Sequence, residues 1–455
     1  EVYQALIDAL TTRGDSLEAM MYAQRLQLIS MSALPVPQND KQMAALRELA
    51  ERERRLKEAL TAELVENSDD ELAGLLRQQL AELRVEFAAT VDQLRSTYPY
   101  FETLVRMDPE DIESVQAELD PGVVVLQPLL FEDRLVLLVF RRDRLVPVNV
   151  TVSGEDVRRD IRQLTKSLRG GDIYDPRATR RLCERLGRWF WEPIAEELED
   201  AEVLVVTAQG ILRDLPFALL RRDDKYLVEE VAVAGVTHVG SLRRHVLGEQ
   251  FRLGANELLL LGNPDGTLPG AEDEVLSITR HFPAATVLLG FQGTKENVLE
   301  AARDKSVIHL ATHGVIDPHF PDQSYLMLHG SGDEGRLTYR QIPGLGQYLN
   351  RCRLVVLSAC ESSRPVKAEG NEATVVAING LAAQFRRAGV ETLVGSLWRV
   401  NDQGTQMLMD NFYKEMAKGK NVAQALQEAQ QYMIANSDWS HPYFWASFVV
   451  MGDWR

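Results

Sequence analysis

Residues 307–314 read Val-Ile-His-Leu-Ala-Thr-His-Gly, and residues 354–361 read Leu-Val-Val-Leu-Ser-Ala-Cys-Glu. Each stretch is a short apolar run that ends in polar residues, which predicts a buried strand leading into a loop. Such near-continuous apolar strands are typical of a parallel sheet covered on both faces. Because the carboxyl ends of neighbouring parallel strands form the ligand crevice of such a sheet, we expect His313 and Cys360 to meet there.

Similar apolar runs lie on both sides of these two strands, at residues 123–126, 135–140, 202–207, 258–261, 286–289 and 392–397. Helical patterns separate them, at residues 155–168, 177–198, 272–281, 296–304, 374–388 and 403–416. Strands that alternate with helices predict an α/β fold with a parallel, doubly wound sheet. We divide this part of the chain into two tandem α/β units, 116–250 and 251–455.

The first 115 residues have a helical pattern instead. Residues 1–40 are similar to a single tetratricopeptide unit, with a turn at Gly14 and an aromatic residue at Tyr22, although an ordinary helical hairpin explains them equally well. In residues 41–115 leucines recur at helical spacing on both sides of a polar interruption, which predicts a long antiparallel helical hairpin. We therefore expect an all-α region before the two α/β units.

The composition excludes several classes of protein. The 455 residues carry a formal net charge of -17, which argues against sequence-independent nucleic-acid binding and against docking on anionic lipid. No run approaches the about 20 apolar residues of a membrane helix, and the start has no signal-peptide pattern. The three cysteines, Cys183, Cys352 and Cys360, lack disulfide or metal-site spacing, so a cytoplasmic protein without metal is expected. No nucleotide motif is present, so no cofactor is expected.

His313 and Cys360 are the residue types of a cysteine-peptidase dyad. They are 47 positions apart, close to the spacing of about 50 between the histidine and cysteine of caspases. In that chemistry a thiolate attacks the scissile carbonyl while the imidazole transfers protons. The backbone N–H groups of Gly314 and Cys360 are the expected donors to the oxyanion.

Each of these residues also has an ordinary explanation when taken alone. A free cysteine is usually a small buried hydrophobe, which is our interpretation of Cys183 and Cys352. A histidine at a strand end is often a hydrogen-bonded structural residue. His309 and His313, four positions apart, would bind zinc from one face of a helix, but the β-branched run and Gly314 favour a strand, and no third ligand stands out.

Further segments resemble the CHAT family of caspase- and separase-like peptidases. They occur in order at residues 210–220, 268–274, 289–294, 309–314, 357–361, 369–370, 388–390, 396–402 and 441–448. The resemblance implies a caspase-like α/β fold in which the unit 116–250 lacks a dyad and the unit 251–455 is active. The sequence departs from the family after Cys360, where Glu-Ser-Ser replaces the common threonine at the second position and residues 363–368 are less glycine-rich, which concerns the conformation of that loop.

The same resemblance implies a substrate site. Ser396, Leu397 and Trp398, followed by Arg399, would form the strand edge that pairs with an extended peptide. Similarity to separase implies that Asp402 receives a basic P1 residue, with Ser358 as another wall of the pocket. Because Asn401 and Asp402 precede a predicted helix, an N-cap role is the alternative for Asp402.

These predictions favour a cysteine endopeptidase that acts on a protein substrate. The helical N-terminal region would bind a regulatory protein or restrain the site, and no nucleic acid or membrane partner is expected. The alternatives are a catalytically silent caspase-like scaffold and an acyltransferase or ligase that uses the same thioester.

Overall fold

The structure, a computed structural model, describes residues 109–170, 175–237, 256–315, 323–358, 381–398 and 400–455, together with residues 239, 242, 252–254 and isolated positions between 7 and 86. The chain divides into two compact units, Glu1–Glu113 and Ser114–Arg455. Cys360 and Arg399, together with residues 359–361 and 363–370 of the predicted motifs, lie outside the described residues.

The first compact unit, Glu1–Glu113, is helical at nearly all of its described positions before residue 87. Leu49 and Leu83 are buried, and Arg52 Nη1 lies 3.1 Å from Glu86 Oε2. These contacts place a helical segment near residue 50 beside another near residue 85, as in a helical hairpin. The proposed ranges of the four domains and the tetratricopeptide resemblance stay predictions.

The second compact unit, Ser114–Arg455, alternates strands and helices and contains both of the predicted α/β units. The strands are β1 (Val123–Leu130), β2 (Arg134–Phe140), β3 (Leu145–Thr151), β4 (Val203–Val206), β5 (Arg221–Arg222), β6 (Lys225–Tyr226), β7 (Ala232–Gly235), β8 (Leu258–Gly262), β9 (Thr286–Leu289), β10 (Val307–Ala311), β11 (Gly314–Val315), β12 (Tyr325–Met327), β13 (Arg336–Thr338), β14 (Leu354–Leu357), β15 (Thr392–Ser396) and β16 (Phe448–Gly452).

The α-helices are α1 (Pro109–Glu118), α2 (Gly154–Arg169), α3 (Pro176–Phe190), α4 (Pro269–Ile278), α5 (Lys295–Ala302), α6 (Gly346–Leu349), α7 (Asp402–Ala417), α8 (Val422–Ala435) and α9 (Pro442–Trp445). Short 3-10 helices cover Glu192–Leu198, Gly210–Asp214, Phe217–Leu219, Leu227–Glu229, Gly290–Gln292 and Ile342–Leu345. Residues 381–387 are also helical.

One large sheet organises the described part of this unit. Its eleven strands follow the order β3-β2-β1-β4-β7-β16-β15-β14-β10-β8-β9. Strands β1, β4, β7 and β16 are parallel to one another, and so are β15, β14, β10, β8 and β9. Because β16 is antiparallel to β15, the strands of these two halves run in opposite directions. The carboxyl ends of the strands in one half therefore lie at the opposite edge of the sheet from those in the other half.

The burial of the strands explains their sequences. All residues of β8, β10, β14 and β15 are buried, as expected for strands covered on both faces. Helix α4 packs on β8 and β10, and α7 packs on α4. Helix α4 directs Ala271, Val275 and Ile278 into the core at helical spacing.

The two α/β units join in one sheet through β16. The structure corrects two sequence expectations. The sheet, which was expected to be parallel, is mixed, because β1, β2 and β3 form an antiparallel meander and β16 is antiparallel to β15. The helix expected over 177–198 ends at Phe190 and continues as a 3-10 helix that contains Pro193, because proline cannot supply the N–H of an α-helical turn.

No helix in the described ranges combines the length and the apolar character needed to cross a bilayer.

Candidate active site

The carboxyl ends of β8, β10, β14 and β15 lie side by side in the second half of the sheet. Residues 263–268 follow β8, and His313 follows β10 by two positions. Ser358 follows β14 directly, and Cys360 comes two residues later in the sequence, outside the described residues. The described residues therefore include the part of the predicted crevice around His313, and Cys360 is not among them.

His313 contacts the loop that follows β8. Its Nε2 atom lies 2.7 Å from Thr267 Oγ1 and 3.8 Å from Asp265 Oδ2. Thr267 Oγ1 lies in turn 2.9 Å from both carboxylate oxygens of Asp265. The imidazole is 20% exposed, so it is accessible from solvent while one ring nitrogen is held by this loop.

Asn263 fixes the course of that loop. It has a positive φ of 51°, a conformation that asparagine tolerates better than most residues. Its Oδ1 accepts a hydrogen bond from the Leu268 N–H at 2.6 Å, and its Nδ2 donates to Glu272 Oε1 at 2.7 Å. His329 Nδ1 lies within hydrogen-bonding distance, 3.0 Å, of the Pro264 carbonyl. The loop is therefore bonded on both sides of Asp265 and Thr267.

Gly314, the predicted oxyanion donor, begins β11. The Met327 N–H donates to the His313 carbonyl at 2.8 Å, and Gly314 pairs with Leu326 in the antiparallel β11–β12 ladder. The oxyanion roles of the Gly314 and Cys360 N–H groups stay predictions.

A buried polar network lies behind the site. Ser358 Oγ donates to Glu274 Oε2 at 2.9 Å, and Glu274 Oε1 lies 3.1 Å from His309 Nε2, although this second contact lacks hydrogen-bond alignment. His309 Nδ1 lies 3.2 Å from the Tyr413 hydroxyl. All four side chains are buried. Burial, followed by the charge of Glu274, raises the pKa of Tyr413 well above its usual value.

The zinc alternative for His309 and His313 finds no support in this arrangement. The two residues lie on and just after a strand, and His309 faces Glu274 and Tyr413 in the interior. Within the described ranges, no cluster of three or more His, Cys, Asp or Glu side chains could hold a metal ion.

The predicted peptide-pairing segment, Ser396–Trp398, begins at the last residue of β15, just beyond the last residue pair between β15 and β14. Ser396, Leu397 and Trp398 are all buried. The Leu397 N–H donates to the Ser447 carbonyl at 2.8 Å, and Trp398 Nε1 donates to the Tyr443 carbonyl at 2.9 Å. One edge of the segment is thus taken by the chain before β16, and a peptide would meet its backbone rather than its side chains. The pairing itself stays a prediction.

Asp402 occupies the first position of α7. Asn401 is the N-cap, because its Oδ1 accepts a hydrogen bond from the Gly404 N–H at 2.7 Å. Asp402 is exposed and packs against Gly270 at the start of α4, where an added Cβ would lie 2.5 Å from the Asp402 Cβ. The carboxylate therefore lies beside the amino-terminal ends of two helices, close to the loop that contacts His313.

The sequence reasoning did not assign roles to Asp265, Thr267, Glu274 or Tyr413. Glu274 was detectable in principle, because it shares the apolar face of α4 with Ala271, Val275 and Ile278. A charged residue at a core position indicates a buried partner. Asp265 and Thr267 carry no such signal, since Asp-Gly-Thr is ordinary turn sequence.

The fold is that of the caspase-like α/β proteins. Two crystal structures of the Saccharomyces cerevisiae separase–securin complex superpose on the chain with TM-scores of 0.53 and 0.51. The superpositions cover 96% of this chain and 40% of that chain, at 10% and 11% identity, so the likeness is one of fold.

Residues 180–453 match the CHAT domain, and this match covers more than half of the chain. The protein therefore belongs to the CHAT-domain family. Tetratricopeptide repeat protein 28 of Homo sapiens is 26% identical over 301 residues, and that of Mus musculus is 24% identical over 302. Each alignment covers 55% of this chain and 12% of the relative, so the matched region is a small part of those proteins.

Proposed function

We propose that the chain is a cysteine endopeptidase with Cys360 as nucleophile and His313 as general base and acid. The observation that carries the proposal is the position of His313. It follows β10, which pairs directly with β14, and β14 ends three positions before Cys360 in the sequence. Its partly exposed imidazole is held at one nitrogen by the loop after β8. Membership of the caspase-like CHAT family supports the same chemistry.

The reaction would follow the two-step course of a thiol peptidase. The Cys360 sulfur gives its proton to His313 and attacks the scissile carbonyl, and the Gly314 and Cys360 N–H groups stabilise the oxyanion. The imidazolium then protonates the leaving amine as the C–N bond breaks, leaving a thioester. Water, deprotonated by the same imidazole, hydrolyses the thioester and releases the acid product.

Asp402 supports a preference for a basic P1 residue. Its carboxylate is exposed and lies beside Gly270 at the start of α4, near the loop of Asp265. A lysine or arginine side chain that enters from the thiol side would meet negative charge there. Ser358 is the second proposed pocket residue, although its hydroxyl already donates to Glu274.

The helical unit Glu1–Glu113 is the proposed site of regulation. It would bind a regulatory protein or restrain the site until a partner binds, and the substrate would be a protein. The alternatives to a peptidase are a silent interaction module and a thioester-based acyltransferase. The experiments below distinguish these two functions from proteolysis.

A peptide-library cleavage profile, run with and without candidate partner proteins, tests the proposal. Cys360→Ala and His313→Ala should each lower kcat/KM by about 10⁴-fold or more, because the two side chains act as one unit. Cys352→Ala, at a buried thiol, and His281→Gln, at a surface histidine, are matched controls that should keep activity. In active protein, Asp402→Asn should weaken selection of P1 Lys and Arg by about tenfold.

A cysteine-directed peptidyl probe provides the second readout. Labelling of the wild type and none of Cys360→Ala would support the peptidase. Absence of both cleavage and labelling, with partners present, would refute it and favour an interaction module. Transfer of the acyl group to an added amine in place of hydrolysis would identify an acyltransferase.

A further inference from the structure

We infer that Asp265 and Thr267 are positioning residues that hold the His313 imidazole with its proton on Nε2, so that Nδ1 is the nitrogen that serves the thiol. The inference rests on the proposed function for its catalytic consequence, but its structural content concerns the histidine alone. It adds Asp265 and Thr267 to the proposed base, His313, as residues that orient its ring.

The direction of the hydrogen bonds follows from the number of protons available. An ionised carboxylate only accepts, so the single hydroxyl proton of Thr267 is donated to Asp265, whose two oxygens lie 2.9 Å from Thr267 Oγ1. The hydroxyl oxygen can then only accept at its contact with His313 Nε2, at 2.7 Å. Nε2 must therefore carry a proton. A neutral imidazole has one N–H, which leaves the lone pair on Nδ1.

Asp265 acts through Thr267 rather than directly. Its nearest oxygen lies 3.8 Å from His313 Nε2, which is too long for a hydrogen bond. When Nδ1 accepts the thiol proton, the Nε2–H bond to Thr267 persists, and the negative carboxylate behind the hydroxyl stabilises the imidazolium. The Thr267 hydroxyl and the Asp265 carboxylate keep their hydrogen bond during this step, so this side of the imidazole is preorganised.

The loop geometry supports a built arrangement rather than a chance contact. Asn263 bonds to Leu268 and His329 contacts the Pro264 carbonyl, so the loop is held on both sides of Asp265 and Thr267, and the Thr267 N–H donates to Asp265 Oδ1 at 3.2 Å. The competing explanation is that Asp265 and Thr267 only form a local turn and that His313 contacts it without consequence. That explanation predicts that the protonated nitrogen of His313 is independent of both side chains.

Nuclear magnetic resonance of the 455-residue chain, labelled at its eight histidines, tests the inference without using activity. The His313 signals are assigned by their loss in His313→Gln. We expect the Nε2–H tautomer of the neutral ring in the wild type. Thr267→Ala should populate the Nδ1–H form, and Asp265→Asn should do the same, because the threonine proton is then free to turn toward Nε2. Thr267→Ser keeps the hydroxyl and should keep the wild-type spectrum.

A second Asp–His pair, half-buried like His313, supplies the matched control. His281 Nε2 lies 2.9 Å from Asp410 Oδ1, so Asp410→Asn should change the His281 signals and leave those of His313 unchanged. An Nδ1–H tautomer in the wild type would overturn the inference. So would a His313 tautomer that is the same in Asp265→Asn, Thr267→Ala and the wild type.

Kinetics test the catalytic consequence. We expect Asp265→Asn and Thr267→Ala to lower kcat by roughly 100-fold, with little change in KM, because the base is misoriented rather than removed. Thr267→Ser should recover most of the rate. Normal rates in all variants would overturn the catalytic part while leaving the peptidase intact. An inactive wild type would instead refute the proposed function, and the tautomer measurement would still decide whether Asp265 and Thr267 position His313.

Discussion

In each half of the sheet, one carboxyl-end loop contains a residue with a positive φ, but the side chains of these two loops differ. After β4 the chain turns at Gly210 with a φ of 53°, and after β8 it turns at Asn263 with a φ of 51°. Gly210 has no side chain, whereas Asn263 bonds to Leu268 and Glu272 and fixes the loop that contacts His313. The residues after β4, 207–214, include neither histidine nor cysteine. The comparison indicates that a residue with positive φ does not by itself make a site, and that the proposed site depends on the side chains of its loop.

The two halves also use their buried carboxylates differently. Asp160 of α2 is buried and pairs with Arg185 of α3, so it joins one helix to another. Glu274 of α4 contacts His309 and Ser358, so it joins a helix to two strands at the proposed site. Removal of Glu274 is expected to disturb the proposed site, because its partners lie on β10 and directly after β14. Removal of Asp160 affects a contact between two helices and is not expected to disturb the site directly.

Thiol reactivity gives the largest expected contrast. Burial raises the pKa of Cys183, in the first half, and of Cys352, in the second, to about 12 each. At pH 8 such thiols are ionised at a level of about 10⁻⁴, so brief treatment with iodoacetamide should modify Cys360 roughly a thousandfold faster than either. Mass spectrometry of the native protein measures this, and Cys360→Ala should show no rapid labelling. Rapid modification of Cys183 or Cys352 would contradict the prediction.

Removal of the buried carboxylates gives the next contrast. Glu274→Ala should lower the free energy of unfolding by about 3–5 kcal/mol, because both of its partners stay buried without it. Asp160→Ala should lower it by about 1 kcal/mol, because Arg185 is 40% exposed and can be hydrated. Urea denaturation measures both values. Only Glu274→Ala should also reduce cleavage, since Ser358 lies two positions before Cys360. Equal losses of stability and activity in the two variants would remove this distinction between the halves.

Alkaline unfolding gives the smallest contrast. Burial raises the pKa of Tyr226, which is on β6, to about 12, and it raises the pKa of Tyr413 well above the usual tyrosine value. Since the unfolded tyrosine ionises near pH 10, the folded chain binds more protons above that pH, and stability falls as the pH rises from about 10 through the folded values. Tyr226→Phe should reduce this loss by on the order of 1–3 kcal/mol by pH 12.

Tyr413→Phe should also flatten the alkaline decrease, but it removes the hydroxyl that contacts His309 and should lower stability at neutral pH as well. Thermal unfolding across pH 8–12 separates the two effects. An unchanged slope in both variants would show that other groups determine alkaline unfolding.

Much of the second half of the sheet was predictable, because its strands are apolar runs whose burial leaves a local signal. The runs at 258–261, 307–311 and 354–358 became β8, β10 and β14, and the helix expected from residue 403 begins at Asp402. β3 was not predicted because it contains Pro147, which is tolerated there since β3 lies at the edge of the sheet. β7 is short and half-exposed, so its pairing with β16 depends on contacts far apart in sequence.

The residues of the candidate site also differ in whether the sequence could predict them. His313 stood out because it follows an apolar run and precedes a glycine. Asp265 and Thr267 did not, because their role depends on a contact between loops 46 positions apart in the case of Thr267 and His313. That contact forms only when the loops after β8 and β10 come together in the folded chain, so no local sequence pattern encodes it.

The position of β16 has a consequence for the order in which the protein can acquire its fold during synthesis. This strand lies between β7 and β15, and Thr392 Oγ1 beside it donates to the Asp453 carbonyl. A nascent chain that has left the ribosome only as far as β15 therefore has two half-sheets with open edges, each able to pair with another molecule. The loops after β8 and β10 would already be synthesised in such a chain. Both half-sheets become one layer only when Phe448–Gly452 emerges, so the sheet is completed in one step, after its other ten strands have been synthesised.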